Sequence, residues 1–247
     1  MAMAAGAANA ATITIASVTG EWIDWVGGNA SLAITGDNPA KIAWGGMGTE
    51  TTPGIKSSYE FAGLAAPETF LPDQSMILGE FTHENRRIPM PAAITQASLQ
   101  VVLGFWLDTD TKDVASMRTI TSTFVFDHVE TLNLPASGMC PNGLAVREGI
   151  NVNGCADIVV ASTNPAASQT IAIDGREYRF DVSGFMIDGA AMDRFWTQER
   201  STNTAQLVGR FTQVGGPPAP VPLPAGGLLL LGGLAALGAA ARRRKAG

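Results

Sequence analysis

Apolar and polar residues alternate along many short stretches of this chain. Thr12-Ile13-Thr14-Ile15 alternates, and so do Leu99, Val101, Leu103 and Phe105 with Ser98, Gln100, Val102 and Gly104. Phe124 and Phe126 share one face, with Thr123 and Val125 on the other. A period of two places successive side chains on opposite faces of a strand. Residues 158–160 form a short apolar run between turns. Ile171-Ala172-Ile173, then Asp174-Gly175, then Tyr178, Phe180 and Val182 reads as a hairpin. Asp-Gly is a strong signal there, because both central residues of such a turn need positive φ. Residues 190–199 are read as one short helix; no other part of the body carries a sustained 3.6-residue apolar period with caps. Short strands, Gly/Pro turns and no strand–helix–strand alternation predict an all-β fold, an antiparallel β-sandwich of jelly-roll-like form.

The two ends break this pattern. Residues 225–241 are seventeen uncharged, mostly apolar residues, followed by Arg242, Arg243, Arg244 and Lys245. That length is the short limit for a transmembrane helix, and the cations would stay on the cytoplasmic side, leaving the body outside. The Pro-rich stretch 214–224 is an extended spacer. Residues 1–10 are small and apolar, and Ala8-Asn9-Ala10 is an acceptable leader-peptidase site, so 1–10 reads as the remnant of a signal peptide. The body is then 11–213, long enough for one large β-domain with its own core.

Composition adds constraints. The net charge is −6, and without the four tail cations it is −10. So acidic a body has no electrostatic footprint for nucleic acid. Cys140 and Cys155 are the only cysteines. In an exported chain an even count reads as one disulfide, and the turn chemistry of Asn142-Gly143 and Asn153-Gly154 lets the loop fold back. The absence of a Cys-x-x-Cys spacing argues against a metal or redox pair.

The tail resembles the PEP-CTERM class of bacterial sorting signals, and Val221-Pro222-Leu223-Pro224-Ala225 is similar to its VPLPA variant. The likeness covers residues 221–247. It implies recognition by an exosortase-like membrane peptidase, a membrane segment before processing, and delivery to the cell envelope, the cell surface or the outside. An ordinary C-terminal anchor is the competing reading, and it also puts the body outside.

Candidate chemistry is sparse. The only histidines, His83 and His128, each end an apolar stretch, in Phe81-Thr82-His83-Glu84 and Phe126-Asp127-His128-Val129-Glu130. If both strands lay in one sheet, the rings would face each other. With Glu84, Asp127 and Glu130 they would offer transition-metal ligands; the competing reading is a histidine that pins a loop through hydrogen bonds. Asp108, Asp110 and Asp113 are spaced as a rudimentary calcium loop, but they lack the central Gly and the terminal Glu. Trp22, Trp25, Trp44, Trp106 and Trp196 are either core residues or a sugar-stacking platform. No nucleophile elbow, metalloprotease helix motif, phosphate loop or dinucleotide fingerprint is present.

Around Thr82-His83-Glu84-Asn85 the body resembles the THxN family of PEP-CTERM proteins. The likeness extends over residues 78–85, Ile88-Pro89, 97–106, the Asp127–Asn133 run, the two cysteines, Cys155-Ala156-Asp157-Ile158, and Thr197-Gln198-Glu199 with Asn203-Thr204-Ala205. The sequence departs from the usual form in carrying Arg86-Arg87 before Ile88. The resemblance implies an exported β-domain with no assigned activity, in association with extracellular polysaccharide. The expectation is therefore a non-enzymatic structural or adhesive envelope protein. The alternatives are a carbohydrate-binding module using exposed tryptophans and a metal-dependent hydrolase at His83 and His128.

Overall fold

The structure, a computed structural model, describes residues 11–28, 33–36, 38–46, 56–64 and 68–215. The leader remnant at 1–10, the Val221–Ala225 motif, the apolar segment 225–241 and the basic cluster after it lie outside the described residues. Among the described residues no helix is long and apolar enough to cross a membrane.

Fourteen strands carry the described fold. They are β1 (Ile13–Gly27), β2 (Ala33–Thr35), β3 (Ala40–Gly45), β4 (Lys56–Gly63), β5 (Glu68–Phe70), β6 (Met76–Asn85) and β7 (Ile94–Leu107), then β8 (Arg118–Val129), β9 (Asp157–Thr163), β10 (Thr170–Ile173), β11 (Arg176–Ile187), β12 (Ala190–Met192), β13 (Phe195–Thr197) and β14 (Ser201–Gln213). One sheet has the order β13-β9-β8-β7-β1-β5 and the other β10-β11-β14-β6-β4-β3-β2, with β12 paired to β11. The recorded strand pairs are antiparallel, as the alternating patterns predict.

The inward faces of the two sheets meet in an aromatic core. Phe81 of β6 stacks on Phe126 of β8 at 4.9 Å, Phe105 of β7 meets Phe211 of β14 at 5.4 Å, and Phe124 of β8 meets Phe180 of β11 at 6.0 Å. Each pair joins one sheet to the other, so removing a ring opens a cavity between the layers; Phe126→Ala would cost about 3–5 kcal/mol.

The hairpin read from Asp174-Gly175 is present between β10 and β11, with φ of 49° and 74° at the two central residues. Asp174 Oδ2 also accepts the backbone N–H of Ala11 at 3.1 Å. Residues 190–199 are not a helix. Asp188 and Gly189 both have positive φ, turning the chain into the short β12, and Phe195 and Thr197 of β13 alternate into the interior opposite β9. Tertiary pairing with exposed edges overrides the weak local helical preference.

The predicted bridge joins Cys140 to Cys155, with Cα atoms 5.3 Å apart. It closes the loop between β8 and β9, which is organised around buried Asn151. The Asn142 and Asn151 amides donate to each other at 2.9 Å, and Asn151 Oδ1 also accepts from Ala156 N–H.

Candidate functional site

Period two decides which side chains enter the sandwich. Phe81, His83 and Asn85 share the inward face of β6, and Phe124, Phe126 and His128 share the inward face of β8. The histidines lie in opposite sheets, so they face each other across the core and not along one sheet. Their rings are 5.4 Å apart and nearly perpendicular. Trp44 of β3 and Tyr59 of β4 pack against both, at 4.9 to 5.9 Å between centroids.

The same alternation removes two sequence candidates. Asp127 points outward and accepts from Gln96 Nε2 at 2.9 Å; Glu84 lies on the outer side of β6, 3.9 Å from Arg86. Glu130 follows His128 inward and is 3.5 Å from its Nε2. Three residues that the sequence reading did not place in the site complete it: Asp157 opening β9, Thr197 closing β13, and Glu199 in the turn to β14. All three are fully buried. Asp157 and Glu199 lie in runs that the sequence singles out, but nothing in the sequence places them beside His128.

Several of the principal side chains have one polar atom anchored and another bare. His128 Nδ1 shares a 2.5 Å hydrogen bond with the Tyr59 hydroxyl. His83 Nδ1 bonds Thr197 Oγ1 at 2.9 Å, while its Nε2 has no partner. Asn85 Nδ2 donates to the Thr197 carbonyl at 3.1 Å, leaving Oδ1 without a partner. Asp157 Oδ1 accepts Thr131 N–H at 2.7 Å, leaving Oδ2 bare, and both carboxylate oxygens of Glu199 are bare. One ligand atom from each of His128, Glu130 and Asp157 lies within 4.8 Å of the others.

Electrostatics follow from the closure. Burial pushes the Glu130 carboxyl up to about 7, and burial together with the Glu130 charge brings Asp157 to about the same value. Burial and then Glu130 push Glu199 up to about 7, against Asn133, Arg200 and Arg87. Burial takes His128 down to about 4 and holds His83 well below the ordinary imidazole range, with His128 adding to the effect. Among the described residues no lysine or arginine forms an ion pair with these carboxylates.

Other sequence candidates do different work. Asp110 spends both oxygens on Arg118 and on Leu107 N–H; Asp113 caps the 3-10 turn Val114–Ser116. The tryptophans form no common platform. Trp22 and Trp44 are buried in the core. Trp25 stands opposite Ala97 and Trp106 opposite Thr14, at opposite ends of β1 and roughly 35 Å apart along the strand. Trp196 belongs to the far edge strand of that sheet.

A second polar feature lies beside Glu199. Arg87, Arg147 and Arg200 line a hollow of about 240 Å³, together with Asn133 and Asn153. All three arginines are exposed, and none forms an ion pair among the described residues. Comparison with protein-family models and with curated proteins finds no match to this chain.

Proposed function

We propose that this chain is an exported, non-enzymatic envelope protein that holds acidic extracellular polysaccharide. In this reading a jelly-roll-like sandwich is mounted on a C-terminal sorting tail, which an exosortase-like peptidase cuts near Val221–Ala225. The observation that carries the ligand is the convergence of Arg87, Arg147 and Arg200 on one hollow of a body whose net charge without the tail cations is −10. Three guanidiniums that form no ion pair among the described residues, set in an acidic surface, are a selective feature, since each matches a carboxylate through two parallel hydrogen bonds. Arg147 and Arg200 also hold left-handed backbone, with φ of 71° and 55°, a conformation that costs energy for side-chain-bearing residues and recurs at ligand clamps. The burial of the histidine rings supports a non-enzymatic role: His83 is 0% and His128 4% exposed, so neither ring meets a substrate.

The test is retention of purified protein on a polyuronate matrix, with a neutral glucan matrix as control. Polyuronate should retain it at low salt and release it near about 0.5 M salt, where exposed charges are screened. The triple substitution R87Q/R147Q/R200Q should abolish retention without changing the melting temperature. Equal retention of the triple variant, or equal retention on the neutral glucan, overturns the proposal.

A further inference from the structure

We infer that His128, Glu130 and Asp157 form a buried site for one divalent first-row transition-metal ion, bordered by Glu199. Three observations converge on this site. The first is spacing: the three ligand atoms already lie within 4.8 Å of one another. Metal–ligand bonds of about 2.0–2.2 Å place neighbouring ligand atoms a little over 3 Å apart, so an ion is accommodated by small inward shifts.

The second is the pattern of anchored and bare atoms. Tyr59 holds His128 at Nδ1 and leaves Nε2 on the side of Glu130; Thr131 N–H holds Asp157 at Oδ1 and leaves Oδ2 bare. Ligands of a metal are oriented in this way, through the atom that does not touch the ion. Asn85 Oδ1 and His83 Nε2 are further bare atoms of fully buried side chains. Buried polar atoms are nearly always satisfied, and a group of orphans gathered at one end of the sandwich calls for a partner that is not a protein atom.

The third is charge. Three carboxylates meet here; among the described residues none forms an ion pair with a lysine or arginine, and Arg87 and Arg200 act on Glu199 from beyond ion-pair distance. A divalent cation supplies that charge, and the imidazole nitrogen in the donor set selects a transition ion over calcium or magnesium. Entry is available, because Glu130 also lines an open hollow of about 390 Å³ with Leu132, Met139 and Pro141.

Full-length protein purified without chelator is assayed for metals by mass spectrometry. It is then stripped with chelator and titrated separately with zinc, cobalt and calcium. One equivalent of a transition metal per chain, a raised melting temperature with zinc, and visible ligand-field absorption with cobalt are expected. Asp157→Asn keeps the acceptor for Thr131 N–H and removes the charge; it and Glu130→Gln should each weaken zinc binding by more than about 100-fold, beyond the loss typical of outer partners. If either variant fails to fold, the stripped wild-type chain still decides through its cobalt spectrum and zinc melting shift. No bound metal together with no response to zinc or cobalt overturns the inference. So does stabilisation by calcium alone, or zinc binding unchanged in both variants.

Discussion

Asp110 shows how a single carboxylate is committed to the fold. Its oxygens accept from Arg118 Nε at 2.9 Å, Arg118 Nη2 at 3.0 Å and Leu107 N–H at 2.8 Å. The Arg118 hydrogen bonds, and then the one from Leu107, hold its pKa below the usual carboxylate range. A carboxylate depressed in the folded state contributes stability above its unfolded pKa of about 3.9, and that contribution disappears as pH falls through the folded value. Asp110→Asn should therefore destabilise at neutral pH and lose its effect in acid. The guanidinium is 38% exposed, so solvent screening limits the difference to at most about 1 kcal/mol. Urea unfolding of variant and parent at about pH 7 and about pH 2.5 measures it. Residue roles were legible where strand period alone decides them. The inward face of Phe124 and Phe126 extends by one step to His128 and excludes Asp127, and Phe81 leads to His83 and Asn85. Asp157 and Glu199 were not legible, because their meeting with His128 depends on which strand ends the two-sheet topology brings together. Arg87, noted in the sequence only as a departure from the family form, acquires a role only when Arg147 and Arg200 arrive from distant loops.

At the scale of elements, the loop between β8 and β9 links the bridge to the buried cluster. Cys155 lies beside Ala156 and Asp157, and its carbonyl accepts from the Thr131 hydroxyl at 2.9 Å, while Thr131 N–H holds Asp157. The bridge therefore constrains the backbone that carries Asp157, in addition to restricting the unfolded chain. Cys140→Ser should lower stability by about 2–4 kcal/mol. Thermal melts with and without reductant check this in the parent protein, and an unchanged midpoint would show that the bridge contributes nothing. A related close approach makes a sharper test of the same loop. A Cβ on Gly154, at φ 137°, would sit 1.9 Å from Asn133 Oδ1. Gly154→Ala must displace the Asn133 side chain in the wall of the arginine hollow, so it should weaken polyuronate retention as well as stability. The strands themselves were legible wherever alternation was long, as in β7 and β8. The short β12 and β13 were not, since three-residue strands carry no period and exist through their pairing with β11 and β9.

At the scale of the whole molecule, the first described residue is tied to a distant turn. The Ala11 N–H donates to Asp174, which sits between β10 and β11. Signal-peptidase cleavage after Ala10, as the Ala8-Asn9-Ala10 pattern predicts, would convert that amide into an ammonium group facing the same carboxylate. A charge-assisted contact is about twice as strong as its neutral counterpart, although Asp174 is exposed and water weakens the gain. The trimmed chain should thus melt slightly above the untrimmed one, and Asp174→Asn should erase the gap; mass spectrometry of the secreted form fixes where the new terminus falls. If the chain is exported and trimmed in this way, maturation would do more than release a passenger: the scissile nitrogen itself would become a clasp, and the fold would tighten only once the membrane had been crossed.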